Sequence, residues 1–169
     1  CLMVKNKNKF IYSKIQHPRL FQNIYNYYDK MMDRIVKFLR SKEGELVTIP
    51  VKYRNKKICW EAVKQDGKSL KYVPIKLKTG KLCWEAVNQG NKLSDIELIY
   101  ARDSSPLQYV PKKIKTEHLC ICALNKNYHS FKYVPATLQT FNFCLRVVKM
   151  FPATLEYVPN NIKTPDFLF

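Results

Sequence analysis

Residues 58–67 read ICWEAVKQDG and residues 82–90 read LCWEAVNQG, so the chain carries nearly the same stretch twice. A second marker, the tripeptide YVP, follows both copies and fixes their register. Its prolines are Pro74, Pro111, Pro135 and Pro159, and a degenerate TIP ends at Pro50. Three of the four intervals are 24 residues, and the interval from Pro74 to Pro111 is 37, which is an insertion of 13. A fixed period of this length is typical of repeat proteins, in which neighbouring units share one core.

Each repeat predicts an α-helix that begins after an Asn or Thr. The side-chain oxygen of such a residue can accept a hydrogen bond from a free backbone N–H in the first helical turn. These N-cap candidates are Asn55, Thr79, Thr116, Thr140 and Thr164. From each cap we expect a helix of about ten residues. We expect the residues before each proline to form a bend, and PIKL and its equivalents to form a second helix of one to two turns.

Apolar and small residues recur at fixed positions and predict the core of the repeats. On the helices they follow an i, i+1, i+4, i+5 pattern, which lies on one helical face. That face comprises Ile58, Cys59, Ala62, Val63; Leu82, Cys83, Ala86, Val87; Leu119, Cys120, Ala123, Leu124; and Phe143, Cys144, Val147, Val148. Before the prolines stand Leu46, Leu70, Leu107, Phe131 and Leu155, and after them stand Tyr53, Leu77, Ile114, Leu138 and Ile162. We predict that these positions are buried.

The resulting fold prediction is all-α. Residues 46–169 are predicted to form short helix-turn-helix repeats with a 24-residue period, stacked as an α-solenoid with an incomplete last repeat. An insertion near residues 93–105 carries the capping-box pair Ser94 and Glu97, which predicts a short extra helix. That insertion is either a tolerated surface loop or part of a binding face.

An amphipathic helix is predicted before the repeats, within a basic N-terminal segment at residues 1–45. It runs from Pro18 to Arg40 and is rich in apolar residues at helical spacing. Its apolar stripe is Phe21, Ile24, Tyr28, Met31, Met32, Ile35 and Leu39. We expect this helix to cap the first repeat, and binding to a membrane or a partner is the alternative.

The best-preserved repeats resemble those of a known family. They read ICWEAVKQDGKSLKYVPIKLKT, then LCWEAVNQG with LQYVPKKIKT, then LCICALNKNYHSFKYVPATLQT. Their Cys, Ala, Tyr-Val-Pro and Lys-Thr spacing resembles the repeat of the bacterial family called domain of unknown function 4116, over about residues 46–169. The resemblance implies a helical-repeat fold and no assigned activity, catalytic residue or cofactor. The chain departs from this pattern at the insertion and at FCLRVVKM, which lacks the Glu-Ala pair.

The chain is strongly basic, with 30 Lys and Arg against 13 Asp and Glu and a net charge of +17. Such a charge attracts nucleic acid, anionic membranes or acidic proteins. Lys supplies 24 of the 30 positive residues, whereas a phosphate-reading surface more often uses the bidentate Arg. We therefore interpret the charge as solvated lysine on outer faces, with a nucleic-acid surface as the alternative.

No motif in the sequence indicates catalysis, a metal or another cofactor. The six cysteines include no C-x-x-C pair, and four of them occupy one small apolar position of the repeat, so we interpret them as core residues. His118 and Cys120 lie two apart on one helix and face away from each other, which argues against a nucleophile and base pair. Glu61 and Glu85 are expected to face solvent beside Lys. We predict a protein that is not an enzyme and has no small-molecule substrate.

Two tryptophans, Trp60 and Trp84, share one repeat position, and Ile121 and Leu145 continue it. These four residues are called the tryptophan row. The row either packs under neighbouring helices, which would avoid an aggregation-prone surface, or forms an exposed groove that anchors a partner. We predict a non-enzymatic scaffold for a protein partner. Its candidate contacts are Trp60, Trp84, Ile96 and Tyr100.

A basic array that binds single-stranded nucleic acid is the competing hypothesis. Tyrosines with interleaved lysines can stack on bases and neutralise phosphates. The candidate contacts are Lys71, Tyr72, Tyr109, Lys132, Tyr133 and Tyr157. A weaker alternative is attachment to an anionic membrane through the N-terminal helix.

The sequence also carries expectations about location. It has no apolar run of about 18 residues and no secretory signal, and thiols in a core suit a reducing compartment, so we expect a cytoplasmic protein. An acylated Cys1, as in bacterial lipoproteins, and a translocated effector are the alternatives. At the other end, we expect residues 167–169 either to continue into a further repeat or to fold back as an end cap.

Overall fold

A computed structural model of the chain describes residues 18–41, 44–89 and 105–168. These residues contain α-helices and 3₁₀ helices and no strand, so the predicted all-α class is confirmed for them. The α-helices are α1 (Pro18–Leu39), α2 (Lys56–Gln65), α3 (Gly80–Asn88), α4 (Glu117–Lys126), α5 (Phe141–Met150) and α6 (Pro165–Leu168). The 3₁₀ helices are η1 (Leu46–Thr48), η2 (Val51–Tyr53), η3 (Gly67–Tyr72), η4 (Ile75–Leu77), η5 (Pro106–Tyr109), η6 (Lys112–Ile114), η7 (Tyr128–Tyr133), η8 (Ala136–Leu138) and η9 (Pro152–Tyr157).

The chain divides into two compact units, one ending at Phe38 and the other beginning at Leu39. Most of α1 belongs to the first unit, and the other helices belong to the second. The boundary predicted from the sequence follows residue 45, whereas the second unit already includes Leu39, the last residue of α1. Residues 93–104 of the insertion, with Ser94, Glu97, Ile96 and Tyr100, lie outside the described residues.

The predicted N-caps are confirmed for the helices α2 to α5. The Asn55 side chain accepts a hydrogen bond from the Ile58 N–H at 3.0 Å. Thr79, Thr116 and Thr140 each accept from the backbone N–H three residues later at 3.3 Å. The helices that follow are nine or ten residues long, as expected. Each helix start is therefore fixed locally, by one side chain and its own first turn.

The predicted inner face of these helices is buried almost completely. All four residues of the pattern are buried in α2, α3 and α4. In α5 the first three are buried and Val148 is half-buried. The recurrent cysteine, one per helix, therefore lies at the inner side of each helix, where a small side chain permits close packing.

The segment around each YVP matches only in part the prediction of a bend and a second helix of one to two turns. The residues before the proline themselves form a 3₁₀ helix, such as η3, and a single 3₁₀ turn such as η4 follows the proline. Pro74 has φ −55° and ψ 138°, so it precedes the turn as its N-cap and is not its first helical residue. The length of the segment explains this, because Thr79 already caps the next α-helix. The residues between Pro74 and Thr79 are too few for two helical turns.

Two predictions about the core are also wrong in detail. The residues three after each proline, Tyr53, Leu77, Ile114, Leu138 and Ile162, are half-buried. The first four end a short 3₁₀ turn, whereas Ile162 lies in a hydrogen-bonded turn. The residues directly before each proline are buried instead: Ile49, Val73, Val110, Val134 and Val158. Leu155 is half-buried while its neighbour Thr154 has 0% exposure.

Cationic side chains join each repeat to the next through backbone carbonyls. These side chains stand four residues after the proline, and we call them the bridging cations. Arg54 Nη1 donates to the Tyr72 carbonyl at 2.8 Å, Lys78 Nζ to the Tyr109 carbonyl at 3.0 Å and Lys115 Nζ to the Tyr133 carbonyl at 2.8 Å. Burial lowers the pKa of Lys78 and of Lys115 below the ordinary lysine value. Lys78 and Lys115 are half-buried, so their ammonium groups are partly shielded from water.

Gln139 interrupts this series. It occupies the next equivalent position, but its Nε2 donates to the Val134 carbonyl of its own repeat at 2.8 Å. The amide is shorter than a lysine side chain and cannot extend as far. A surface ion pair between Arg146 of α5 and Glu117 of α4 joins these two helices instead.

Successive elements of the second unit contact one another in chain order. Helix α2 contacts α3, and α3 contacts α4. The 3₁₀ helices that precede the prolines do the same: η1 contacts η3, η3 contacts η5, η5 contacts η7 and η7 contacts η9. Between η5 and η7 the contact includes a buried hydrogen bond from Ser130 Oγ to Ser105 Oγ at 2.7 Å.

Helix α1 begins at the predicted Pro18 and ends one residue before the predicted Arg40. Its predicted apolar stripe is buried only in the C-terminal half. Of its members, Met32 and Leu39 are buried, Met31 and Ile35 are half-buried, and Ile24 and Tyr28 are exposed. Val36, which is not part of the predicted stripe, is also buried. The side chain of Phe21 is outside the described part of the structure. Within the described ranges, no helix combines the length and apolar character needed to cross a membrane.

Candidate functional site

The tryptophan row lies beside the buried face of α2 to α5. Trp60 on α2 and Trp84 on α3 directly follow the inner cysteines Cys59 and Cys83, so they lie one helical step from the core. Trp60, Ile121 and Leu145 are half-buried, and 37% of Trp84 is exposed. The covering predicted for this row is therefore incomplete. Each member retains surface that a partner could contact.

One face of each tryptophan carries a side chain from the following helix. Lys81 Nζ lies over the Trp60 ring, 5.4 Å from its centroid. His118 stacks on Trp84, with ring centroids 5.0 Å apart and the planes inclined by 5°. Lys81 and His118 occupy equivalent positions in their repeats, so the same inter-repeat geometry places a cation on one ring and an imidazole on the other.

A cleft of about 280 Å³ opens beside Trp60. Its walls are Trp60 and Lys56 of α2, Leu77 of η4, Thr79, and Lys81 and Leu82 of α3. Leu82 is buried and Leu77 is half-buried, so the floor of the cleft is apolar, while Lys56 and Lys81 are exposed at its rim. The cleft combines an aromatic surface, an aliphatic floor and two positive charges.

The nearest carboxylate on α2 does not neutralise these lysines. Glu61 accepts from Arg40 Nε at 3.0 Å and from Arg40 Nη2 at 2.7 Å, and its side chain is only 18% exposed. The prediction that Glu61 faces solvent is therefore wrong, because Arg40 holds it in an ion pair. Glu85 is likewise half-buried and accepts from Gln89 Nε2 at 2.7 Å. Within the described residues, neither Lys56 nor Lys81 forms an ion pair.

The tyrosines proposed to contact nucleic acid are half-buried, with lysines over two of their rings. Lys71 Nζ lies 5.5 Å from the centroid of Tyr72, and Lys132 Nζ lies 5.5 Å from that of Tyr133. Tyr109 is half-buried, and its carbonyl accepts from Lys78. Tyr157 Oη lies 2.5 Å from Nδ1 of the buried His129. The exposed Lys71 and Lys132 thus cover the aromatic faces that stacked bases would use.

The inner cysteines are buried thiols. Burial raises the pKa of Cys59, Cys83 and Cys120 to about 11. The positive charges of Arg54, Lys78 and Lys115, each beside one of these thiols, lower the pKa by a smaller amount. The three thiols therefore stay protonated at neutral pH and are poor nucleophiles. His118 is exposed on Trp84 while Cys120 is buried, so the two face different sides of α4 as expected. In the part of the chain that the structure describes, no three His, Cys, Asp or Glu side chains converge as metal ligands.

Sequence reasoning identified Trp60 but missed Lys56 and Lys81. Both lysines are visible in the sequence as residues of the first helical turns, one residue after the cap Asn55 and two after the cap Thr79. Their convergence depends on how α2 and α3 pack, which a single repeat does not encode. Comparisons with protein families, curated proteins and solved structures found no match to this chain.

Proposed function

We propose that this chain is a non-enzymatic scaffold of stacked helical repeats that binds a protein partner along its tryptophan row. Stacking is supported by the contacts from α2 through α4 and from η1 through η9, and by the bridging cations. In such an array the repeats share one core and present a continuous surface. The proposal includes membership of the family named domain of unknown function 4116, which rests on the repeat spacing.

The observation that carries this function is the cleft beside Trp60. It is concave, has an aromatic wall and an apolar floor, and holds two charged groups at its rim. Concave apolar sites with a few polar groups are the usual seats of ligand groups, and buried tryptophans dominate many protein interfaces. A volume of about 280 Å³ suits one or two side chains of a partner better than a whole small-molecule substrate.

Selection of binders from a random peptide library displayed on phage tests this function directly. The wild-type chain is expected to enrich specific peptides whose binding is lost in the double variant Trp60→Ala, Trp84→Ala. Circular dichroism and thermal unfolding must show that the variant is folded. Failure to enrich any peptide, or equal binding to the folded double variant, would contradict the proposal. A variant that does not fold would show that the row is core and not a binding surface.

Binding of single-stranded nucleic acid is the second candidate, motivated by the net charge of +17, which attracts phosphates. It predicts binding that weakens steeply with salt, because each neutralised phosphate releases counterions. Fluorescence polarisation of labelled RNA and DNA at two salt concentrations measures this. Binding that is absent or insensitive to salt rejects it.

A further inference from the structure

We propose that the cleft beside Trp60 receives an acidic segment of the partner protein, with an apolar side chain on the cleft floor and a neighbouring carboxylate between Lys56 and Lys81. This inference rests on the proposed function and names the chemistry of the partner. The occupant is a short peptide segment in which Asp or Glu stands beside Leu, Ile or Phe.

The apolar half of the cleft consists of Trp60, Leu77 and Leu82. Leu82 is buried and belongs to the inner face of α3, so the floor is rigid and part of the core. Leu77 is half-buried on the short turn η4, where its exposed part faces the cleft. An apolar side chain that enters this space removes its own surface and that of Trp60 from water. Burial of one such side chain is worth about 1.5–3 kcal/mol, which is enough to anchor a peptide.

The charged half consists of the two rim lysines. Lys56 and Lys81 come from successive helices and line the same cleft. Glu61 is held by Arg40, so within the described residues no acidic side chain of the chain itself pairs with them. A carboxylate of a partner protein could form ion pairs with the ammonium groups of both lysines. The net charge of +17 would also raise the association rate of an acidic peptide, because a cleft lined by charges of one sign attracts ligands of the opposite sign.

The position of Lys81 favours a carboxylate over a nucleic-acid base. Its ammonium already lies on the face of Trp60, 5.4 Å from the ring centroid. A stacking base would have to displace this cation, whereas a carboxylate binds the cation where it is and leaves its contact with the ring intact. Lysines lie in the same way over Tyr72 and Tyr133. The chemistry of these rings therefore suits an acidic peptide.

The equivalent positions of the next repeat hold neither lysine. The residues equivalent to Lys56 and Lys81 are Gly80 and His118, and His118 stacks flat on Trp84. We therefore expect the acidic segment to bind at Trp60 in preference to Trp84. This difference supplies an internal control for the experiment.

The chain contains only two tryptophans, so each can be made the sole fluorescent reporter. The variant Trp84→Phe reports on the Trp60 cleft, and Trp60→Phe reports on Trp84. The probe is a short synthetic peptide with blocked ends in which Glu and Asp alternate with Leu and Phe. Two matched probes replace the acids by Gln and Asn, or the apolar residues by Ser. A single-stranded DNA oligonucleotide of similar charge serves as a further competitor.

The acidic apolar peptide is expected to shift the emission of Trp60 saturably and to leave the emission of Trp84 unchanged. Adding Lys56→Gln and Lys81→Gln should weaken binding about tenfold, as expected for the loss of two partly exposed ion pairs. Lys113→Gln with Lys149→Gln removes the same charge from exposed positions on η6 and α5, and should change the affinity less than about twofold. Both matched probes should bind more weakly to the wild-type cleft, and that comparison needs no substitution in the cleft.

Three results would overturn this inference. They are an unchanged emission of Trp60 with the acidic peptide, equal affinities for the acidic peptide and for the Gln and Asn peptide, and a DNA oligonucleotide that binds the cleft more tightly than the acidic peptide does. Library selection separates this failure from that of the proposed function. If selected peptides of another chemistry require the tryptophan row, the scaffold function stands and the acidic specificity is wrong. If no peptide is selected and the acidic probe does not bind, both are wrong.

Discussion

At the scale of single residues, Gly67 and Gly80 differ in the space that surrounds them. A Cβ built on Gly67 would lie 2.0 Å from the carbonyl oxygen of Ala86, whereas one built on Gly80 would meet nothing within 4 Å. Gly67 begins η3, and it lets that segment approach the backbone of α3. Gly80 is the first residue of α3 and has no such neighbour.

We therefore predict opposite effects of the same substitution at these two glycines. Gly67→Ala should lower the free energy of unfolding by about 3 kcal/mol or more, since rigid backbone must move to admit the methyl group. Gly80→Ala should raise it by up to about 1 kcal/mol, because alanine loses less backbone entropy on entering a helix. Urea denaturation measures both. Equal destabilisation by the two substitutions would contradict this packing of η3 against α3.

The inner thiols predict a pH dependence of stability. Their pKa is about 11 in the folded chain and 9.0 for an ordinary thiol, so between these values the folded state holds more protons than the unfolded state. Their contribution to stability is complete below pH 9 and is lost as pH rises towards 11. Lys78 and Lys115 act in the opposite direction, because burial lowers their pKa and unfolding would let them bind protons.

Cys83→Ala separates the thiol contribution from that of the lysines. Between pH 9 and 11, the free energy of unfolding should fall less steeply in this variant than in the wild type. Denaturant titrations at several pH values give the two slopes. Identical slopes would show that Cys83 ionises as freely in the folded chain as in the unfolded chain.

At the scale of elements, the α-helices of the repeats follow from local sequence. Asn55, Thr79, Thr116 and Thr140 fix the helix starts, and the apolar pattern after them gives the buried face. The segments around YVP were predicted less well, because a 3₁₀ helix has a weak sequence signature. The lysine positions at the Trp60 cleft could not be predicted either, because they arise from the packing of one helix on the next.

The bridging cations predict how strongly successive repeats hold together. Lys115→Met keeps the length and apolar stem of the side chain but removes its donor to the Tyr133 carbonyl, so we expect a loss of about 1–2 kcal/mol. Lys113→Met, at an exposed position of η6, is the matched control and should change stability by less than about 0.5 kcal/mol. Gln139→Lys should stabilise the chain by restoring a donor that reaches the next repeat. Urea denaturation measures all three, and equal losses for both methionine variants would reject the bridge.

At the scale of the whole molecule, the proposed stack makes one repeat removable. Deletion of residues 112–135 takes out 24 residues and joins Pro111 to Ala136 in register. We expect this variant to fold with the helical content of the remaining repeats and with a lower unfolding free energy, since one inter-repeat contact is lost. Deletion of residues 112–123 breaks the register and should not fold. Circular dichroism and denaturation compare the two, and equal behaviour would contradict the 24-residue unit.

The whole-molecule prediction from sequence was therefore strongest where the repeats are regular. The all-α class followed from capped amphipathic segments, and the row of Trp60 and Trp84 followed from one repeat position. The burial of α1 was predicted poorly, because Ile24 and Tyr28 have helical spacing with Met32 but are exposed. Periodicity identifies a face that can be covered, and only tertiary packing decides how far along the helix it is covered.

The bridging cations also bear on how such a chain could lengthen. Arg54, Lys78 and Lys115 all bind a main-chain carbonyl and require no particular side chain in the neighbour. A tandem duplication of one repeat would therefore arrive with a compatible junction on both sides, with no second mutation needed to match it. The buried residues of the unit and its helix N-cap would also have to be retained. The proposed stack could then gain or lose units in single genetic steps while the exposed residues of each unit diverge.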